Sequence, residues 1–359
     1  MLKRLTVKDY RCFDSAELEL APEINWIIGK NASGKTSLLE AIFYLGHGRS
    51  FRTSRIERAI RAGSDSLEVV ARVESHSGEV VLGMARSSSE ARARLGGKPL
   101  ESLAAAARLL PVVVLDSEMN RLISEGPAER RRWLDWGVFH VEPKYQQAWQ
   151  VFRKALRQRN EGLKQRLPAK ALQPWTEQLV SAGLRVDAYR QAFFEAIEPL
   201  ATEYARHLLD QPAVSLEYQR GWAEGESYGE NLLRHQERDY EQGITRYGPH
   251  RAEVRMLVEG VAAQERVSRG QLKILAGALW LAQVQLYNRR IGSKVVLLVD
   301  DLAAELDSVH LERFIDLLKQ QDCQLILTAI SPEDIGNTHL EGGHVFHVEH
   351  GRISPVSEP

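Results

Sequence analysis

Hydrophobic and polar positions alternate along this chain with two different periods, and the change of period marks its parts. Leu5 and Val7 alternate with charged neighbours, Leu18 and Leu20 do so again before Pro22, and Leu67, Val69, Ala71 and Val73 repeat the pattern, as half-buried strands require. Val80 to Met84 and Ala91 to Leu100 read as further strands, the second folded at Gly96-Gly97. These predict an antiparallel sheet leaning on a core of buried strands. The core strands are apolar runs: Ile24 to Ile28, Pro111 to Leu115, Lys294 to Val299 and Gln324 to Thr328, with a last hairpin through Val345 to Val348 and Arg352-Ile353.

Between Gly126-Pro127 and about Leu209 the period becomes helical. Trp149, Phe152 and Leu156, then Leu179, Leu184, Tyr189, Phe193 and Ile197, recur at three and four, and Pro143, Pro168 and Pro174 are expected to divide the stretch into several helices. Val214 to Tyr218 reads as a strand, Tyr228 to Gln242 as one helix ended by Gly243, and Val254 to Val258 as a hairpin turning at Glu259-Gly260. A long amphipathic helix carries Leu272, Leu275, Leu279 and Val284; another carries Leu311, Phe314, Ile315 and Leu318. The pattern therefore predicts one α/β lobe in two parts, residues 1–125 and 246–359, with a helical lobe of residues 126–245 inserted.

Composition narrows the class. The 359 residues are long for one domain, and 43% hydrophobic with 26% charged residues is ordinary for a globular chain. No run approaches the ~18 apolar residues of a membrane span, Met1 to Asp9 carries charge where a secretory signal would be apolar, and Cys12 and Cys323 are too few for a disulfide framework or zinc site. The expectation is a cytoplasmic protein with no membrane partner. A net charge of −1 supplies no global basic field, so contact with a polyanion must use local patches. Arg49, Arg52, Arg55, Arg58 and Arg61 fall at every third residue with only Glu57 opposing them; they form either a basic stripe along a helix or a solvated face with ion pairs. Arg153, Lys154, Arg157, Arg159, Lys164, Arg166 and Lys170 leave the same choice.

The clearest chemistry lies in Gly29-Lys30-Asn31-Ala32-Ser33-Gly34-Lys35-Thr36, between an apolar strand and the helical spacing of Leu38, Leu39 and Ile42. Glycines at both ends let consecutive N–H groups turn inward, and the helix beginning near Lys35 adds its positive end, which makes a phosphate cradle. Lys35 can reach outer phosphates and the Thr36 hydroxyl is a natural Mg²⁺ ligand. Asp300 and Asp301 end an apolar strand, where the first can serve the metal and the second can polarise an attacking water. Ser268, Gly270 and Gln271 at a helix start are either an ordinary cap or a second anion site for the nucleotide of another copy. Glu305-Leu306-Asp307 opens a further helix that Asp307 can cap.

In this order the parts resemble ABC-type ATPase heads of the SMC group and, nearly end to end, the RecF family of bacterial recombination mediators. Asp9-Tyr10-Arg11-Cys12-Phe13, Leu39 to Ile42, Gly46 to Arg52, Gly126 to Asp135 and Gly248-Pro249-His250-Arg251 are similar to that family. The resemblance implies an α/β P-loop ABC-type ATPase head with a mixed sheet, an antiparallel β subdomain and an inserted helical lobe. It further implies ATP and Mg²⁺ as cofactors and an ATP-induced homodimer in which Ser268, Gly270 and Gln271 of one copy complete the phosphate site of the other. Implied partners are DNA, single-stranded and gapped duplex, together with RecR and RecO, with recombinase loading at gaps as the outcome. Arg49, Arg52 and Arg55 become the DNA candidates, and Lys35, Asp301 and Asp307 join the catalytic set. Ser117, Glu125 and Trp133 depart from the family pattern within one segment. Asp301 where transporter ATPases have Glu, and no His after Thr328, imply slow, DNA-gated hydrolysis. A transporter ATPase subunit or a structural SMC head are the rival readings; the first expects a glutamine-containing loop and the second long coiled coils, and neither is present in the sequence.

Overall fold

The computed structural model describes residues 1–75, 78–210, 213–301, 306–336 and 343–356. It contains two compact units, one of residues 1–119 and 277–359 and one of residues 120–276.

In the first unit the alternating segments form a six-stranded antiparallel sheet from β1 (Leu2–Tyr10), β2 (Phe13–Glu19), β4 (Ser66–Ser75), β5 (Gly78–Ser87), β6 (Ala91–Leu95) and β7 (Lys98–Pro99), in the order β2-β1-β4-β5-β6-β7. The apolar runs form the other sheet, in the order β15-β14-β3-β13-β12-β8, from β3 (Ile24–Ile28), β8 (Val112–Leu115), β12 (Val296–Val299), β13 (Gln324–Ala329), β14 (His344–Glu349) and β15 (Arg352–Pro355). Every pairing in it is parallel except that of β15, which explains why its inner strands are apolar without alternation. The expected contact between sheet and core is made through α1 (Lys35–His47). Leu38, Leu39 and Ile42 of α1 share one cluster with Leu5, Val7, Leu67 and Val69 of the antiparallel sheet and with Val112, Leu298 and Ile326 of the parallel one. Burial on that scale contributes about 1.5–3 kcal/mol per large aliphatic side chain. Gln324 pins the layers with its amide, accepting from the Leu2 N–H at 2.8 Å and donating to the Leu2 and Ala21 carbonyls. The unit also holds α2 (Leu103–Leu109), α11 (Ser308–Lys319) and α12 (Pro332–Gly336).

No helix underlies the arginines at 49 to 61. Only a 3₁₀ turn, Ile56–Ala59, forms there, because the Ser50 hydroxyl takes the N–H groups of Arg52 and Thr53 and the Thr53 hydroxyl takes that of Arg55, in competition with helical bonding. The continuous stripe is therefore absent.

The second unit contains α3 (Arg121–Ser124), α4 (Pro127–Val141), α5 (Tyr145–Lys164), α6 (Ala169–Leu209), α7 (Tyr228–Arg234), α8 (Gln236–Gln242) and α9 (Ala263–Arg266), with the sheet β11-β10-β9 of β9 (Val214–Gln219), β10 (Glu253–Val258) and β11 (Val261–Ala262). Pro143 and Pro168 fall between helices as expected, but Pro174 and also Pro199 lie inside α6. Packing of α6 along α5 outweighs the backbone bond each proline removes. Tyr228 to Gln242 is two helices, interrupted at His235, whose ring turns onto the Asn231 carbonyl at 2.9 Å; Gly243 ends the second in the left-handed region at φ 66. The unit extends to Ala276 where the pattern suggested a return near residue 245, because β10 pairs with β9 from Glu253↔Gln219 to Val258↔Val214. From there α10 (Arg269–Ile291) carries the chain into the first unit. Its spacing predicts one apolar face, but Ile274 to Leu279 are all buried. Among the described residues no helix is long and apolar enough to cross a membrane.

Candidate nucleotide-binding site

Parallel register decides what meets at the carboxyl ends of the strands. Ile28 pairs with Ala329, and Val299 lies between Leu327 and Leu115, so the loop after β3, the carboxylates after β12 and Thr328 share one sheet edge, the usual ligand edge of a parallel sheet. The loop can close only with glycine at its ends. A Cβ on Gly29 (φ 156) would lie 2.3 Å from the Val348 carbonyl oxygen, and one on Gly34 (φ 121) 2.7 Å from Cys12 Sγ and Phe13. Among the described residues no side chain caps the start of α1, which leaves its positive end available to an anion. Lys30 and Asn31 are exposed and Ala32 is left-handed at φ 62. The buried Lys35 ammonium donates to the Gly29 carbonyl at 2.7 Å and lies 3.4 Å from that of Lys30, and the buried Ser33 hydroxyl has no hydrogen-bond partner among the described residues.

Opposite the loop, Thr36 Oγ1 donates to Asp300 Oδ2 at 2.9 Å. Thr328 Oγ1 lies 2.8 Å from Asp300 Oδ1 and 3.3 Å from Asp301 Oδ1, and accepts the Asp301 N–H at 2.8 Å. Asp301 itself adopts a left-handed φ of 48°. Burial raises the Asp300 carboxyl above its ordinary pKa, against the two threonine hydroxyls and with the Asp301 charge adding to it. A cation would relieve that cost, and a hydroxyl with a carboxylate is the hard oxygen set Mg²⁺ takes when phosphates supply the rest. Glycine cradle, buried ammonium, unpartnered Ser33 hydroxyl and desolvated Asp300 all fit a Mg²⁺-bound polyphosphate. Among the described residues no group of three or more His, Cys, Asp or Glu side chains makes a self-contained metal site.

The loop opens on a cleft of about 530 Å³ that Arg11, Cys12, Arg52, Arg58, Ile60 and Asp301 also line. Of the three arginine candidates, Arg52 thus faces the cleft, while Arg49 and Arg55 are exposed outside its lining. Sequence reasoning missed Arg11 and Thr328 as site residues. The Thr328 signal was available in a hydroxyl ending a buried strand beside Asp-Asp; Arg11 reaches the cleft only through the turn between β1 and β2.

The remaining candidates lie elsewhere. In the second unit the Ser268 hydroxyl accepts the Gln271 N–H at 3.2 Å and the Gln271 side chain accepts the Ser268 N–H at 2.9 Å, a reciprocal cap on α10 with Gly270 exposed in its first turn. Asp307 caps α11 through the His310 N–H at 3.0 Å, and that bond holds its carboxyl below the ordinary range; Glu305 lies outside the described residues. Arg159, counted in the basic surface, is buried against Asp239 at 2.8 Å.

Residues 1–353 match the RecF/RecN/SMC N-terminal domain family. The DNA replication and repair protein RecF of Erwinia tasmaniensis is 36% identical over 358 residues, 99% of each chain, and that of Pectobacterium atrosepticum 37% identical over the same length and share. The chain belongs to the RecF family. Its fold is similar to that of the recombination mediator protein RecF-ATP of the RecFOR pathway, with a TM-score of 0.86 at 24% identity over 99% of this chain and 97% of that one. It is more distantly similar to an Smc head bound to the C-winged helix domain of ScpA, with a TM-score of 0.60 at 17% identity over 99% and 96%. RecF-family membership and these folds agree with the ABC-type ATPase head that the resemblance implied.

Proposed function

We propose that this RecF-family chain is an ATP-dependent DNA-binding protein that dimerises when ATP is bound, grips DNA at gaps and single-to-double-strand junctions, and releases it after slow, DNA-stimulated hydrolysis. The observation that carries the reading is the convergence of Lys35, Thr36 and Asp300 on one glycine-bounded loop. In it Gly29 to Thr36 hold the phosphates, Lys35 moves from the loop carbonyls to the outer phosphates, and Thr36 with Asp300 hold Mg²⁺, which neutralises phosphate charge when bound. Asp301 orients the attacking water. Ser268, Gly270, Gln271 and Asp307 act across the dimer, and Arg49, Arg52 and Arg55 meet DNA phosphates. Family membership supports work with RecR and RecO in recombinase loading during cytoplasmic DNA repair, replication recovery and the SOS response. Titration of a fluorescent gapped duplex tests the switch: affinity should rise at least about tenfold with ATP over ADP or no nucleotide, and equal affinity in all three states would refute it.

A further inference from the structure

Glu40 interrupts the apolar surface of α1 and is 0% exposed. A carboxylate so enclosed costs several kcal/mol unless its lone pairs are met. Arg11 meets them with a fork, Nε to Oε2 at 2.8 Å and Nη2 to Oε1 at 2.7 Å, and Ser50 Oγ donates to Oε1. That set already balances the charge. Arg52 is additional: its Nη1 stands 3.7 Å from Oε2, beyond hydrogen-bond length, with the side chain 44% exposed and lining the cleft beside Lys35 and Thr36. Ser50, bonded to Glu40, holds the N–H groups of Arg52 at 2.9 Å and Thr53 at 3.0 Å. Arg11 holds the far end of the segment through the Arg58 carbonyl at 3.0 Å. One buried carboxylate on the helix of the phosphate loop therefore fastens both ends of the arginine-bearing segment.

We propose that Glu40 is a positioning residue that makes the conformation of residues 48–58 depend on the charge in the phosphate cleft. The inference rests on reading that cleft as a nucleotide site. A guanidinium held to Glu40 by attraction alone is the group a polyphosphate can draw away, and when Arg52 leaves Oε2 the Ser50 turn beneath it shifts. Arg49 and Arg55 on the same segment are then presented differently to a polyanion. Occupancy of the cleft and the posture of the arginines are thereby linked without either ligand touching Glu40.

Hydrogen exchange of peptides spanning 48–58, in the full chain with and without saturating Mg·ATP, tests the link. Wild-type exchange should change by at least about threefold on ATP addition. In Glu40→Gln the change should vanish although a fluorescent ATP analogue still reports occupancy. Because Glu40→Gln also weakens the Arg11 fork, Arg52→Gln at an exposed position is the second variant, with the same expected loss. ATP binding to wild type without any change in 48–58, or retention of the wild-type change by both variants when loaded, would overturn the inference and leave the nucleotide reading standing. Failure of wild type to bind the analogue would overturn both.

Discussion

Among the described residues of 120–276 the two buried guanidinium groups have carboxylate partners, Arg190 with Asp135, Tyr145 and the Pro249 carbonyl around it and Arg159 with Asp239 and Thr245. The half-buried Arg130 forks onto Glu253 at 2.7 and 2.8 Å. Around the phosphate loop of the other unit Arg11 is forked onto Glu40 in the same way, but two cations are held more weakly, Lys35 by two backbone carbonyls and Arg52 at 3.7 Å from the carboxylate that Arg11 already satisfies. The contrast separates two uses of charge. Matched pairs hold a helical scaffold in one arrangement, while cations held by neutral or shared partners leave attraction in reserve for an anion.

Four experiments can break or sharpen this contrast. The largest effect belongs to Arg190→Met, which leaves Asp135 and the Pro249 carbonyl without their buried donor; unfolding in urea should show a loss of about 3–5 kcal/mol, with ATP affinity measured on the folded variant nearly unchanged. A loss below about 1 kcal/mol would mean the pair is not structural. Next is His250, whose imidazole is lowered to about 4 by burial, against the Thr245 carbonyl it bonds at 2.9 Å. Folding favours the neutral ring, so the stability it contributes is present above its ordinary value of 6.5 and is lost as pH falls from there toward about 4. That component is about 3 kcal/mol, and Glu or Asp titration aside it should be missing from the pH–stability curve of His250→Gln. In the other unit Lys35→Met should weaken ATP binding about 100-fold with little change in melting temperature; intact affinity would remove the lysine from the site. The smallest effect is that of Arg49→Ala with Arg55→Ala, which should lower the slope of log DNA affinity against log salt by about 1–2. An unaltered slope returns both to solvated surface.

Much of the site was legible because it is local in the chain. Gly29 to Thr36 carries its own turn chemistry, and the strand before it and helix after it can be read from a few neighbouring residues. Thr328 was not legible in the same way, since its place between Asp300 and Asp301 comes from parallel register across residues far apart in sequence. Arg153 and Arg159 look alike as letters; only the fold separates Arg159, buried on Asp239, from its exposed neighbour. Glu40 was hidden too, a charge inside an apolar helix whose partners come from the turn at Arg11 and from Ser50 just past the end of the same helix. Helix ends in the second unit were misjudged where packing prevailed over a local signal, as at Pro174, or where one side chain broke a continuous pattern, as at His235.

The proposed switch requires ATP to join two copies so that the pair can hold DNA. Sedimentation velocity of the full chain without nucleotide, with ADP and with ATP, each with and without gapped DNA, tests this directly, with Ser268→Arg run in parallel. Wild type should be a dimer with ATP alone and a dimer on DNA with ATP, and the Ser268→Arg variant should bind ATP but remain a monomer. A wild-type monomer that binds DNA equally in every nucleotide state, or a Ser268→Arg dimer as tight as wild type, would contradict it.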